Sequence, residues 1–429
     1  MAIPRSFIGA DLTTFHTAGG DPIAKVGGGP WWFFVNEGGA AVVADTLVVS
    51  CESDNIRKIG DVKIGRVDRS TLTSPNMVEL NIDSMVSGVY EYYDHVTGAM
   101  KPFSGKVADH WHIFAHGHHW IACSLAGSFG TEEVGVGLLL LRFAVEADGS
   151  VDATKIEEQL LYAPTGESDF YDPGNYPKYV SKTLKTATND PFIVREHDGV
   201  AVGIWHRREN PSDPPTGLPE DTDGTRLFHI SKAFGTPTET ELYGAAYADH
   251  QGLASATQHV TSSFSRGTFS RGTSTFRLLA PTYASTIWPS DLLLIELDQH
   301  WAEVGSTTLL TGLTGSPATE RSYSMAAEAW LPGGWRAMVY RVIDPAKADP
   351  DDNGELQLQL YGPFGNESGG PITITDETLS LTDGVTAGDP VPSAGCRPHI
   401  LYWPSERLLI VAWDTLTDGY IWAHRVDLA

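Results

Sequence analysis

Five histidines crowd one short stretch, at positions 110, 112, 116, 118 and 119. On a single extended strand the first four would share a face, but a turn at Gly117 divides them into two pairs. Histidines two residues apart could hold Zn²⁺ or another transition metal if a further element supplied the remaining ligands. They could also act as a catalytic base, with His112 the candidate, or hydrogen-bond to neighbouring loops. These three readings stay open.

A second cluster, Asp349-Pro350-Asp351-Asp352-Asn353-Gly354, matches the first half of a calcium loop. Asp349, Asp351 and Asn353 supply oxygens at positions 1, 3 and 5, and Gly354 supplies the sharp turn. Leu360 stands where a bidentate acid would close the site, so Ca²⁺ is expected to bind weakly if at all. Glu220 to Gly224 is a shorter acidic turn of the same kind.

These residues must be placed by a framework, and the chain has a repeating one. The runs His110–Ser124, Pro191–Arg207, Met325–Val342 and Pro398–Asp414 each read as strand, tight turn, strand. Third strands follow, as VKIGRVD, LLLLRFAV, RLFHISK, LLLIELD, LQLQLYG and YIWAHRVDL, and shorter polar fourth strands follow several of these. Four antiparallel strands recurring about every 70 residues predict an all-β fold, a single β-propeller of six four-stranded blades. The approximate blades are 30–82, 109–165, 190–245, 250–315, 322–377 and 396–429 within one domain, 1–429. The chain ends on a third strand, so an N-terminal strand (Arg5 to Phe15) is expected to complete the last blade. The tandem Ser-Arg-Gly-Thr copies around Arg266 and Arg271 blur the fourth blade, and counts of five or seven stay open.

Propellers bind at one mouth of the central channel, where the innermost strands begin. That position selects Asp109, His110 and His112, then Asp190, Glu328, Arg397 and His399. Twelve tryptophans are many for this length. Trp120, Trp205, Trp413 and Trp422 lie within strands and should pack between blades. Trp31, Trp32, Trp288 and Trp403 adjoin turns or strand ends, where an aromatic face can stack on a sugar ring.

Composition narrows the function classes. The chain has 429 residues, 41% hydrophobic and 19% charged, and Gly 44 with Pro 26 make about one residue in six. A net charge of −25 would repel nucleic acid and anionic membrane surfaces. No apolar run approaches the roughly 20 residues of a membrane-spanning helix. Three cysteines give no disulfide framework and read as buried free thiols. The N-terminus has no apolar signal region, which leads us to expect a cytoplasmic or virion protein, secretion remaining open.

Asp190-Pro191-Phe192-Ile193-Val194-Arg195, followed by Asp198-Gly199, resembles a motif of the arabinanase- and xylosidase-type propeller glycosidases. The resemblance implies that Asp190 is a general base and Glu328 a general acid. Those enzymes have five blades and carry the base near their N-terminus, unlike this chain. The expected function is a glycan-directed propeller that binds, and could hydrolyse, a polysaccharide or cell-surface glycan. Asp109, His110, Arg397, His399, Trp31 and Trp403 would contact it. The alternative is a non-enzymatic structural or receptor-binding module, such as a phage tail or virion component assembled into a larger particle.

Overall fold

The computed structural model describes residues 7–14, 40–43, 46–52, 61–66, 77–104, 107–116, 118–129, 132–144, 151–171, 183–184, 186, 188, 191–196, 198–207, 223–243, 263–266, 276–283, 289–298, 300–310, 322–331, 335–343, 354–362, 370–373, 399–403, 408–414 and 421–428. Over these residues the chain is nearly all strand. The helical pieces among them are α1 (Ile82–Met85) and two 3-10 turns, Ala153–Lys155 and Glu167–Asp169. No described helix is long and apolar enough to cross a membrane.

Strand β1 (Phe7–Thr14) is followed by β2 (Ala40–Val43), β3 (Thr46–Glu52), β4 (Asp61–Arg66) and β5 (Met77–Asn81). A hairpin of β6 (Glu91–Asp94) and β7 (Ala99–Pro102) comes next. Then come β8 (Val107–His116), β9 (His118–Phe129), β10 (Glu132–Phe143) and β11 (Glu157–Tyr162). The pair β12 (Phe170–Tyr171) and β13 (Thr183–Leu184) precedes β14 (Phe192–Glu196), β15 (Gly199–Arg207), β16 (Asp223–Ser231) and β17 (Thr238–Tyr243). Four more are β18 (Ser263–Arg266), β19 (Phe276–Tyr283), β20 (Pro289–Leu297) and β21 (Glu303–Leu310). The next are β22 (Ser322–Trp330), β23 (Arg336–Ile343), β24 (Gly354–Tyr361) and β25 (Ile372–Thr373). The last are β26 (His399–Trp403), β27 (Leu408–Asp414) and β28 (Ile421–Leu428).

Among the described residues these form six four-stranded sheets: β2–β5, β8–β11, β14–β17, β18–β21, β22–β25, and β26–β28 with β1. Each follows chain order, as hairpin-linked antiparallel strands do, except that β1 adds beside β28. Phe7 pairs with Leu428 and Thr14 with Trp422, so the N-terminal strand covers the edge that β28 would expose.

The backbone divides into two compact units. The first is Met1–Ile56, Lys63–Val78 and Val260–Ala429; the second is Arg57–Val62 and Glu79–His259. In the first, β22 packs against β18, β19 and β20, while β26 packs against β22 and β2. Its core gathers Leu294, Ala326, Met338, Tyr340, Val342 and Tyr361.

In the second unit, β14 packs on β8 and β9. Trp120, Ala122, Leu138 and Leu140 meet Ile193, Val200, Val202, Ile204 and Phe228 there. Leu138 to Leu141 are all fully buried, so both faces of β10 are covered. That explains an unbroken leucine run where a one-sided strand would alternate. Each such leucine contributes about 1.5–3 kcal/mol relative to exposure. Where the run ends, Arg142 is clamped between Trp120 (5.2 Å) and Phe234 (4.6 Å). Its Nε donates to Glu157 (2.6 Å) and its Nη1 to the Lys232 carbonyl (2.5 Å). This clamp ties β10 to the β16–β17 turn, where Phe234 takes a left-handed φ of 55°.

Candidate functional site

On β8, a register shift lies between Val107↔Leu125 and Trp111↔Cys123. Asp109 and His110 therefore sit in a bulge opposite Ser124, and His112 resumes the ladder opposite Ala122. Bulges of this kind re-aim side chains next to binding sites. Ser124 Oγ shares a buried 2.7 Å hydrogen bond with Thr188 Oγ1. This bond holds the segment leading into β14 against β9, beside the bulge. Asp190 falls in that segment but outside the described residues; Thr188 and Pro191 on either side of it are buried.

The described parts of the Asp-Pro-Phe-Ile-Val-Arg stretch have structural duties. Ile193 and Val194 are core residues. The Glu196 carboxylate meets His229 Nδ1 at 2.8 Å, and His229 Nε2 lies 3.0 Å from Thr240 Oγ1. Gly199 has φ +152, and a Cβ there would come within 1.8 Å of the Ile230 carbonyl oxygen. The Asp198-Gly199 turn is thus demanded by the backbone, independently of any catalysis.

Glu328 lies on β22, opposite Met338 and just past a bulge between Ser324 and Ala327. Its side chain is 1% exposed and accepts from Arg336 Nη1 at 2.8 Å. Arg336 is itself on β23 of the same sheet, its guanidinium 5.3 Å from the Tyr361 ring centre. His399 and Trp403 occupy the two ends of β26, which packs on β22. Glu328 and His399 therefore share the first unit, whereas Asp109, His110 and His112 belong to the second. Trp31, Arg397, Asp349, Asp351, Asn353 and Arg271 lie outside the described residues. Arg266 ends β18.

The sequence reading missed a polar network in the second unit. Thr186 Oγ1 lies 2.9 Å from His206 Nδ1 and receives a longer bond from Arg226 Nη1 (3.4 Å). His206 Nε2 approaches Glu241 at 3.6 Å, and Arg226 Nε donates to Glu239 at 3.0 Å. Beneath it, burial raises the Tyr162 hydroxyl above its ordinary range, and Asp169 adds to the effect. His206 lies on β15, Arg226 on β16, and Glu239 and Glu241 two residues apart on β17, so the network is assembled by strand pairing and only the Glu239/Glu241 spacing was visible locally.

The histidine cluster is divided by the fold. His118 is exposed. His119 is 2% exposed and stacks on Phe143. Burial, with the neighbouring His118 adding to it, pushes the His119 imidazole down to about 4. Among the described residues no group of three His, Cys, Asp or Glu could hold a metal ion. Cys123 is fully buried and burial pushes its thiol up, so it matches the buried free thiol read from sequence. Trp120 is likewise buried between sheets.

No family model matches the chain. No curated protein matches it. Among solved structures, it is similar to the GH93 α-L-arabinofuranosidase of Fusarium graminearum in complex with arabinobiose, at 9% identity and a TM-score of 0.48, over 99% of this chain and 98% of that one. The endo-arabinase from Bacteroides thetaiotaomicron gives 10% identity and a TM-score of 0.40, over 74% and 93%. Drosophila Plexin A in complex with Semaphorin 1b gives 8% and 0.38, over 96% and 88%.

Proposed function

We propose that the chain is a glycan-binding β-propeller, with the six four-stranded sheets as its blades and β1 completing the last. Support for the blades comes from the strand order, six successive antiparallel sheets with the N-terminal strand added to the C-terminal one. In this reading the glycan meets the starts of the innermost strands. There Asp109, His110 and His112, the Asp190 segment, Arg397, His399, Trp31 and Trp403 offer hydrogen bonds and aromatic faces. Such a mixture suits a sugar, whose hydroxyls need partners while its C–H faces need apolar cover.

One observation favours binding over hydrolysis: Glu328, the acid that the family resemblance requires, is buried and bound to Arg336 within its own sheet. A general acid must lie within hydrogen-bond reach of the leaving-group oxygen. Glu328 would first have to leave Arg336, abandoning a buried guanidinium without its counter-charge.

The test exposes the full chain to a panel of plant and algal polysaccharides, following retention in affinity gels and release of reducing ends together. Retention without release is expected. His112→Ala and Trp403→Ala should each weaken retention several-fold. Release by wild type that disappears in both Asp190→Asn and Glu328→Gln, each shown by its melting curve to be folded at the assay temperature, would establish a hydrolase instead. Absence of both retention and release across the panel would remove the glycan assignment.

A further inference from the structure

Three side chains of the β14–β17 sheet stand in line. The Glu196 carboxylate on β14 meets His229 Nδ1 on β16 at 2.8 Å, and His229 Nε2 lies 3.0 Å from Thr240 Oγ1 on β17. The intervening β15 places Gly199 opposite Glu196 and Ala201 opposite His229, so it presents only a hydrogen atom and a methyl group at those positions. A carboxylate can only accept, so Glu196 fixes the imidazole proton on Nδ1. Nε2 then offers its lone pair to the Thr240 hydroxyl, which donates to it. Acid, imidazole and hydroxyl in that order activate an alcohol as a nucleophile. The His229 and Glu196 side chains are 16% and 19% exposed, and Thr240 is partly exposed on the last strand of its sheet. His206 has the same kinds of neighbour, but its hydroxyl partner Thr186 is 1% exposed and out of a substrate's reach.

We propose that Thr240 is a nucleophile for acyl transfer from small carboxylic esters, with His229 its general base and Glu196 the positioning residue. The Thr240 oxygen adds to the ester carbonyl carbon as its proton passes to His229 Nε2. The ester C–O bond then breaks, and the departing oxygen takes that proton from His229. Acyl-Thr240 and a free alcohol result. Water attacking by the same route releases the carboxylic acid and restores the hydroxyl. The net charge of −25 disfavours anionic donors, so the substrate class is neutral esters. This activity needs no glycan and shares no residue with the glycan-binding set proposed above.

The full-length protein is incubated with p-nitrophenyl acetate, p-nitrophenol release is followed by absorbance, and peptide mass spectrometry locates the acetyl group. Acetylation of Thr240 is expected. Thr240→Val should abolish it and Thr240→Ser, which keeps the hydroxyl, should preserve it. His229→Gln should slow it roughly a hundredfold or more, and Glu196→Gln about tenfold or more. Thr238→Val removes the neighbouring hydroxyl on the same side of β17 and should match wild type. Melting curves confirm that the variants are folded at the assay temperature. Wild-type protein acetylated elsewhere with Thr240 unmodified, or Thr240 acetylation unchanged in His229→Gln or Glu196→Gln, overturns the proposal.

Discussion

At position 119 a histidine lies inside an antiparallel ladder, stacked on Phe143 with 5.6 Å between ring centres. The folded protein binds its proton only near pH 4, whereas the unfolded chain binds it near the ordinary value of 6.5. As pH falls, the unfolded state is protonated first. The stability that neutral His119 contributes is therefore complete above about pH 6.5 and is lost progressively down to about pH 4. The difference corresponds to at most about 3 kcal/mol. Melting temperatures at pH 7 and pH 4.5 should differ less in His119→Gln than in wild type; equal differences would contradict this. Glu328 and Arg336 make the opposite argument, because each neutralises the other. Breaking a buried pair from one side costs about 3–5 kcal/mol, while replacing both partners with apolar residues costs far less. Glu328→Gln should thus lower stability markedly and Glu328→Leu/Arg336→Met should recover most of it. Additive losses in denaturant titrations would show that the pair is not coupled.

Elements were legible where local chemistry decided them. Period-2 alternation and the Pro-Gly-Gly, His-Gly-His and Asp-Gly turns mark most of the strands in the sequence, and the six third strands became β4, β10, β16, β20, β24 and β28. The β6–β7 hairpin was passed over, although Asp94 with Val96, Thr97 and Gly98 forms an evident turn. Asp94 accepts from Val96 N (2.9 Å) and Thr97 Oγ1 (2.8 Å) and pairs with Lys101. What the sequence could not display were partners far apart along it. The Arg142 clamp reaches a carbonyl 90 residues away and the Arg226–Thr186 bond spans 40. Gly199 joins the two cases, since its turn was readable but the reason for glycine, the Ile230 carbonyl, lies on β16. Gly199→Ala should cost at least about 1–3 kcal/mol in backbone strain alone. Gly166→Ala, with no atom within 4 Å of the added Cβ, serves as the neutral comparison. Equal melting temperatures for the two variants would refute the close approach.

For the molecule as a whole, a propeller would unfold as one body. Blades that share faces with both neighbours cannot melt independently, so scanning calorimetry should record one cooperative transition. Two well-separated transitions would contradict a single propeller domain. The assignment of function is tested most directly by one paired measurement on whichever polysaccharide retains the protein: the binding isotherm and the rate of reducing-end release, taken on the same wild-type sample. Saturable binding with no release above the protein-free control is the predicted result. Release in proportion to protein concentration would contradict it.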